Sequence, residues 1–190
     1  MVAPALLRAA VGLLVATASA DSQAGAQGHS SSRPHPAATP PLGFNHCNIM
    51  CGKDWNASMQ MRMMDAMVAT PSGGGGSLHD AGYVFANLDD GWMLAPPAAG
   101  PRRGAQIADP DWLAAGGLSS MPQLVSYAHQ RNLSFGLYTA RGGITCGGFE
   151  ASCGQEAADA QQYADWGVSF VKDDDCSPCS GDYDADYTRM

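Results

Sequence analysis

Acidic side chains crowd at two points of the chain, each just after an apolar run. In the first cluster, Asp89 and Asp90 follow residues 83–88, and Trp92 comes two residues later. Adjacent carboxylates after a strand point in different directions, so this pair can accept charge-assisted hydrogen bonds from two different hydroxyls. A nearby Trp can pack on the apolar face of a sugar ring. The alternative is a solvated turn with a helix cap.

The second cluster has the composition of a nucleophilic site. Asp173, Asp174 and Asp175 repel one another, which costs stability unless a cation or a ligand offsets it. Lys172 projects from the same side of a strand as Asp174, so its charge is expected to keep that carboxylate ionised. Such a carboxylate can attack an anomeric carbon, as in retaining glycosidases. Calcium is the competing interpretation, although the EF-hand spacing is absent.

Short apolar runs alternate with helical periodicity along the chain and must position these acids. We predict strands at residues 42–45, 83–88, 134–138 and 168–171, and helices at residues 58–69, 121–130 and 157–166. This order predicts parallel strands whose polar carboxyl ends share one edge. The fold class is therefore α/β, either the first four units of a (β/α)8 TIM barrel or a doubly wound open sheet. Four strands cannot close such a barrel, so we interpret the sequence as truncated.

The N-terminal residues are typical of an exported protein. Arg8 precedes an apolar run at residues 9–18 with a small-residue cleavage site, so residues 1–20 are predicted to be a signal peptide. Residues 21–38 have the composition of a disordered linker. We expect a secreted or lumenal protein, in a lysosome or vacuole for example, without a membrane partner. The net charge of -8 argues against a nucleic-acid partner.

Six cysteines in an exported chain predict disulfides rather than metal thiolates. They are Cys47, Cys51, Cys146, Cys153, Cys176 and Cys179. The last two have the spacing of a zinc half-site or a redox pair, but a second pair with suitable spacing is missing, so zinc is the weaker interpretation. Export also allows glycosylation at the sequons that begin at Asn56 and Asn132. We predict neither a metal nor another cofactor.

Four blocks of sequence, in order, resemble the melibiase-type α-galactosidases, glycoside hydrolase family 27. The first block, TPPLGFN at residues 39–45, looks like the opening TPPMGWN of the family. The others are DAGY and NLDDGW within residues 80–92, NLSFGLY at residues 132–138, and a final block within residues 145–176 that contains ADWGV and KDDDC. The domain is therefore expected at residues 39–190, as the N-terminal part of a glycosidase catalytic barrel.

This resemblance implies a retaining exo-glycosidase that hydrolyses terminal α-D-galactosyl residues of galactosides, glycoproteins or glycolipids. It implies Asp174 as the nucleophile and Lys172 and Tyr138 as sugar contacts. Asp89 and Asp90 would bind sugar hydroxyls. The family fold is a (β/α)8 barrel followed by a β-sandwich domain, and a homodimer is an expectation for a full-length form.

The resemblance also implies a disulfide between Cys146 and Cys176 beside the active site. The chain departs from the family pattern at Cys47, where a substrate-packing Trp is usual, and at Asp173, where Tyr or Phe precedes the nucleophile. The general acid/base is expected beyond Met190, so this chain alone is expected to be inactive or slow. An α-N-acetylgalactosaminidase, a galactose-binding module without catalysis and a calcium-binding domain remain as alternatives.

Overall fold

The computed structural model describes residues 40–47, 49–51, 54–98, 102 and 104–189, so the predicted signal peptide and linker lie outside the described residues. Strands and helices alternate along this part of the chain. They are β1 (Gly43–Asn45), α1 (Ala57–Val68), β2 (Phe85–Asn87), α2 (Pro110–Ala114), α3 (Met121–His129), β3 (Ser134–Ala140), α4 (Glu156–Trp166), β4 (Phe170–Asp174) and α5 (Tyr183–Thr188). None of the described helices combines the length and the apolar character needed to cross a bilayer.

The four strands form one parallel sheet in the order β1-β2-β3-β4. The register pairs Asn45 with Asn87 at one side of the sheet and Ala140 with Asp174 at the other. Within the described sheet the strand order follows the chain order without reversal, whereas a doubly wound sheet reverses its order at a switch point. The predicted α/β class is confirmed, and the sequential order favours the barrel alternative.

Apolar faces of the helices pack on this sheet. Helix α3 buries Met121, Leu124, Val125 and Ala128, whose spacing places them on one face. Helix α1 buries Met64 and Met67 in the same core as Phe135 of β3. The methionines of α1 therefore fill the core, as expected for a flexible side chain in an irregular space.

Local sequence signals fix several of the helix ends. Asn56 caps α1 by accepting a hydrogen bond from the N–H of Met59. Asp109 does the same for the short helix α2, which begins with Pro110 in the first turn. Helix α4 ends at Gly167, whose positive φ of 84° is a left-handed conformation that favours glycine.

One predicted strand is shifted along the chain, and one short helix was not predicted. Strand β4 covers Phe170–Asp174 rather than residues 168–171, so Lys172 and two of the acids lie within the strand. Apolar patterning missed them because it treats charged residues as strand ends, whereas Lys172 and Asp174 find polar partners on the cavity side of the sheet. Helix α2 was not predicted, since Pro110–Ala114 is too short to show helical periodicity.

Candidate active site

A cavity of about 270 Å³ opens at the carboxyl ends of the strands, where an α/β barrel carries its active site. Both predicted acidic clusters contribute to it, together with side chains from the loops after β1 and β3. The lining residues are Cys47, Cys51, Asp89, Asp90, Tyr138, Cys146, Gly147, Lys172 and Asp174. Side chains far apart in the sequence therefore meet around one space of sugar size.

The Asp89 carboxylate accepts three hydrogen bonds in the cavity wall. Its Oδ2 accepts hydrogen bonds from Asn45 Nδ2 at 2.6 Å and from Lys172 Nζ at 2.9 Å. Its Oδ1 accepts the N–H of Asp90 at 2.9 Å. Burial would raise the pKa of Asp89, but these hydrogen bonds and the lysine charge lower that pKa below its usual value. Asp89 is thus an ionised acceptor beneath the cavity.

Asp90 is buried beside it but has a different electrostatic environment. One of its oxygens, Oδ2, accepts the N–H of Gly147 at 2.7 Å, which ties the loop after β3 to the end of β2. Burial is the main cause that raises the pKa of Asp90, and the charge of Asp89 adds to it. The pKa is therefore lowered for Asp89 and raised for Asp90. Their side chains also bond different elements, since Asp89 bonds Lys172 of β4 and Asp90 bonds the loop after β3.

Asp174, the last residue of β4, is held at both carboxylate oxygens. Oδ2 accepts the hydroxyl of Tyr138 at 3.1 Å, and Oδ1 accepts the N–H of Asp175 at 2.9 Å. Burial, with the charges of Asp90 and Asp174, raises the pKa of the Tyr138 phenol far above its usual value. Tyr138 consequently stays protonated and remains a hydrogen-bond donor to Asp174 at physiological pH.

Lys172, whose charge was expected to keep Asp174 ionised, forms its ion pair with Asp89 instead. Lys172 lies opposite Tyr138 in the β3–β4 register, and its side chain extends to the end of β2, where it bonds Asp89. The Asp89 side chain is only 2% exposed, so it loses more hydration than the half-buried Asp174 and gains more from a cation. Lys172 also stands 5.1 Å from the centre of the Tyr138 ring.

Trp92 does not reach the cavity, which corrects the expectation that it packs on a sugar. Its side chain is fully buried and its indole N–H donates to the carbonyl of Tyr138 at 3.0 Å. The indole contacts Tyr163 and Trp166 of α4 edge-on. Gly91, immediately before it, has a positive φ of 100°, and this turn directs Trp92 into the core.

Disulfides brace two sides of the cavity. Cys146 is bonded to Cys176, which joins the loops after β3 and β4 beside Asp174. Cys47 is bonded to Cys51 in the loop after β1. The third bond joins the remaining pair, Cys153 and Cys179. Because Cys176 and Cys179 belong to different disulfides, the zinc interpretation of their spacing is wrong.

The three consecutive acids of the second cluster diverge, which argues against a calcium loop. Asp174 faces the cavity, and Asp175 forms an ion pair with Arg141 at 2.6 Å. Asp173 lies on the other face of β4, where burial raises its pKa to about 6 against the opposing effect of Arg141. A calcium site needs several oxygens that converge on one point.

Sequence reasoning missed two residues that support Asp89. Asn45, at the end of β1, bonds Asp89 and also accepts the N–H of Cys47 at 3.0 Å. His46 is buried, stacks on Trp55 with ring centroids 4.6 Å apart, and has Nδ1 3.4 Å from the Asp89 nitrogen. Asp89 was identified as a polar residue at the end of a strand. The same rule applies equally to Asn45.

Comparisons with known proteins find one family over most of the chain. The melibiase family described as Alpha galactosidase A matches residues 39–190. A probable α-galactosidase A of Aspergillus terreus is 37% identical over 145 residues, which is 76% of this chain and 25% of the relative. Human α-galactosidase A is 34% identical over 152 residues, 74% of this chain and 32% of the relative. The chain thus spans about a quarter to a third of the length of these relatives.

Solved structures show the same likeness. α-Galactosidase I from Mortierella vinacea matches with a TM-score of 0.62 and 29% identity, over 77% of this chain and 33% of that one. The Saccharomyces cerevisiae α-galactosidase, solved with raffinose, matches with a TM-score of 0.59 and 25% identity, over 73% and 27%. Together with the strand order, these matches support a partial (β/α)8 barrel. The chain therefore belongs to the melibiase-type α-galactosidases, glycoside hydrolase family 27, and corresponds to their N-terminal part.

Proposed function

We propose that this chain carries the galactose subsite and the nucleophile of a retaining α-galactosidase. The substrates would be terminal α-D-galactosyl residues of galactosides, glycoproteins or glycolipids. One observation carries the proposal: Asp174, held at both oxygens, faces the same cavity as the ion pair of Lys172 and Asp89. The raffinose bound to the yeast relative is an α-galactoside, which supports this substrate class.

The first chemical step belongs to Asp174. One of its oxygens attacks the anomeric carbon, the bond from that carbon to the leaving oxygen breaks, and a glycosyl ester forms. Tyr138 and the N–H of Asp175 hold the carboxylate so that it does not rotate away from the sugar. Water then hydrolyses the ester and releases galactose with retained configuration. Protonation of the leaving oxygen is the task of a second carboxyl group.

The polar wall opposite gives the sugar its orientation. Ionised Asp89 accepts a hydrogen bond from a sugar hydroxyl, and Lys172 can donate to the same hydroxyl or its neighbour with a proton that Asp89 does not use. Asp90 offers a second carboxylate in the cavity wall. Pairs of acceptors and donors at fixed positions distinguish galactose from sugars whose hydroxyls point elsewhere, since a mispaired buried group costs free energy.

An α-galactosyl fluoride tests Asp174 independently of the acid/base group, because fluoride leaves without a proton. We expect this chain to release fluoride from it, and Asp174→Asn to reduce the release by at least about 10³-fold. Asp165→Asn is the matched control, because Asp165 is an exposed acid on α4 and should leave the rate unchanged. Undiminished release by Asp174→Asn would exclude the proposed nucleophile, and galactose binding without release would identify a non-catalytic binding module.

We also propose that the protein is exported, as its N-terminal residues predict. The three disulfides among the described residues support export, because such bonds persist in oxidising compartments and are rare in the cytosol. Expression in a secretory host followed by N-terminal sequencing tests this, with cleavage near residue 20 expected. Retention of the intact N-terminus inside the host cell would contradict it.

A further inference from the structure

We propose that Arg141 is a positioning residue for Asp174, acting through Asp175 and through the backbone of β4. The inference rests on the proposed function, in which Asp174 is the nucleophile. Arg141 does not line the cavity, and its side chain is 2% exposed. Its contacts lead instead to the segment that fixes the direction of the Asp174 carboxylate.

Two of these contacts hold the main chain just after the Asp174 side chain. The N–H of Arg141 donates to the carbonyl of Asp174 at 2.9 Å, which extends the β3–β4 ladder to its last residue. The guanidinium Nη2 stands 2.6 Å from Asp175 Oδ1. Arg141 thus holds the main chain on the carboxyl side of Asp174 at two points.

The second contact controls an oxygen of the nucleophile. The N–H of Asp175 donates to Asp174 Oδ1 at 2.9 Å, so this bond depends on the position of the peptide that joins Asp174 to Asp175. The Asp175 side chain is 43% exposed, so solvent leaves it free to turn once its bond to Arg141 is lost. The peptide between the two acids would then keep the bond from the Arg141 N–H to the Asp174 carbonyl, but it would lose its anchor on the Asp175 side. Displacement of Asp175 would lengthen the bond from its N–H to Asp174 Oδ1 and leave Tyr138 as the main restraint on the Asp174 carboxylate.

A buried anchor holds the guanidinium itself. Arg141 Nη1 donates to Asp186 Oδ2 at 2.8 Å, and the Asp186 side chain is fully buried on α5. Asp186 also accepts the N–H of Ser180 at 3.3 Å. The ring of Tyr183 lies 3.9 Å from the guanidinium carbon, within cation–π distance. The rigid guanidinium fork can reach Asp175 and Asp186 together, which the point charge of a lysine cannot do.

Arg102 provides a matched control for a purely structural role. It forms another buried arginine–aspartate pair, at 2.5 Å from Asp159 of α4, and it has no described contact with Asp174 or Asp175. Loss of either arginine strands a buried carboxylate and should destabilise the fold. Only loss of Arg141 should change the geometry of the nucleophile.

The test compares Arg141→Gln with Arg102→Gln in the cleavage of α-galactosyl fluoride, corrected for the folded fraction. We expect Arg141→Gln to lower kcat about 10- to 100-fold at an unchanged KM, and Arg102→Gln to leave both constants in place. Asp175→Asn should reproduce the loss, and Arg141→Gln combined with Asp175→Asn should add little more. Arg141→Lys should fail to restore kcat. Equal kcat in the two arginine variants, or full activity of Asp175→Asn, would overturn the proposal.

A second readout separates this proposal from the proposed function. If the unmodified chain releases no fluoride, the function fails, but hydrogen exchange at the amide of Asp175 still reports the clamp. We then expect exchange at Asp175 to accelerate at least about 10-fold in Arg141→Gln, relative to Leu137 in the middle of β3, and to stay unchanged in Arg102→Gln. Unchanged protection of the Asp175 amide in Arg141→Gln would overturn the positioning role.

Discussion

Replacing Lys172 by methionine should weaken the fold because it strands the carboxylate of Asp89. The two charges lie 2.9 Å apart, with the Asp89 side chain 2% exposed and that of Lys172 43% exposed. At an effective dielectric constant of about 20 their attraction is about 6 kcal/mol, most of which the lost hydration of the charges offsets. Because the pair lies between the surface limit of about 1 kcal/mol and the buried range of about 3–5 kcal/mol, we expect Lys172→Met to cost about 2 kcal/mol of unfolding free energy.

Urea unfolding of a double-mutant cycle measures this directly. Lys172→Met, Asp89→Asn and the combined variant should give a coupling free energy of about 1–2 kcal/mol at pH 7. Arg131→Met with Asp65→Asn is the control, because both side chains of that pair are partly exposed, at 24% and 49%, and should couple by less than about 1 kcal/mol.

The pH dependence has a definite sign. The pKa of Asp89 is lowered in the folded state, so its stabilisation is present above the usual carboxyl value of 3.8 and is lost as pH falls through the lower folded value. The coupling of Lys172 with Asp89 should therefore disappear in acid. A coupling near zero at pH 7 would refute the assigned pair.

Three further changes test other parts of the structure by urea unfolding. Burial lowers the pKa of His46 from 6.5 to about 4, so stability should fall as pH drops through that range, and His46→Phe, which keeps the stack on Trp55, should remove this fall. Burial raises the pKa of Asp173 from 3.8 to about 6, so stability is lost as pH rises through that range; Asp173→Asn should gain about 1–2 kcal/mol at pH 7, after allowance for solvent screening, and nothing near pH 4. Gly43→Ala would place a Cβ 2.1 Å from the Phe85 carbonyl oxygen and should cost about 2–3 kcal/mol. The first expectation would be contradicted if His46→Phe still lost stability as pH falls from 6.5 to about 4. The second would be contradicted if Asp173→Asn and the unmodified chain were equally stable at pH 7, and the third if Gly43→Ala did not change the free energy of unfolding.

The sequence shows which residues lie at the site, but not which of them bond to one another. Polar residues that follow apolar runs mark the carboxyl ends of parallel strands, and this rule located Asp89, Asp90 and Asp174. It could not show that Lys172 bonds Asp89 instead of Asp174, because that choice depends on how deeply each carboxylate is buried. Burial is a property of the packed sheet and not of local spacing.

The direction of a side chain in the loop after a strand was the second feature that the sequence could not predict. Trp92 was expected to pack on a sugar ring because it follows the paired acids. Its side chain instead points into the core, after a turn with a positive φ at Gly91. A glycine permits such a turn without specifying it, so the sequence leaves both directions open. The disulfide of Cys146 with Cys176, which the family resemblance implied, is present, whereas composition alone could not assign any pairing.

Covalent trapping tests the central claim most directly. An α-galactosyl fluoride that carries a second fluorine on the sugar ring should be attacked at its anomeric carbon by an ionised carboxylate that faces it. The anomeric fluoride leaves without a proton, and the ring fluorine slows hydrolysis of the ester that remains on the carboxylate. Peptide mass spectrometry should find this ester on Asp174, with labelling slowed by free galactose and abolished by Asp174→Asn. A label on Asp90, Asp173 or Asp175 instead, or no label on a folded chain that binds galactose, would contradict the assignment of Asp174 as the nucleophile.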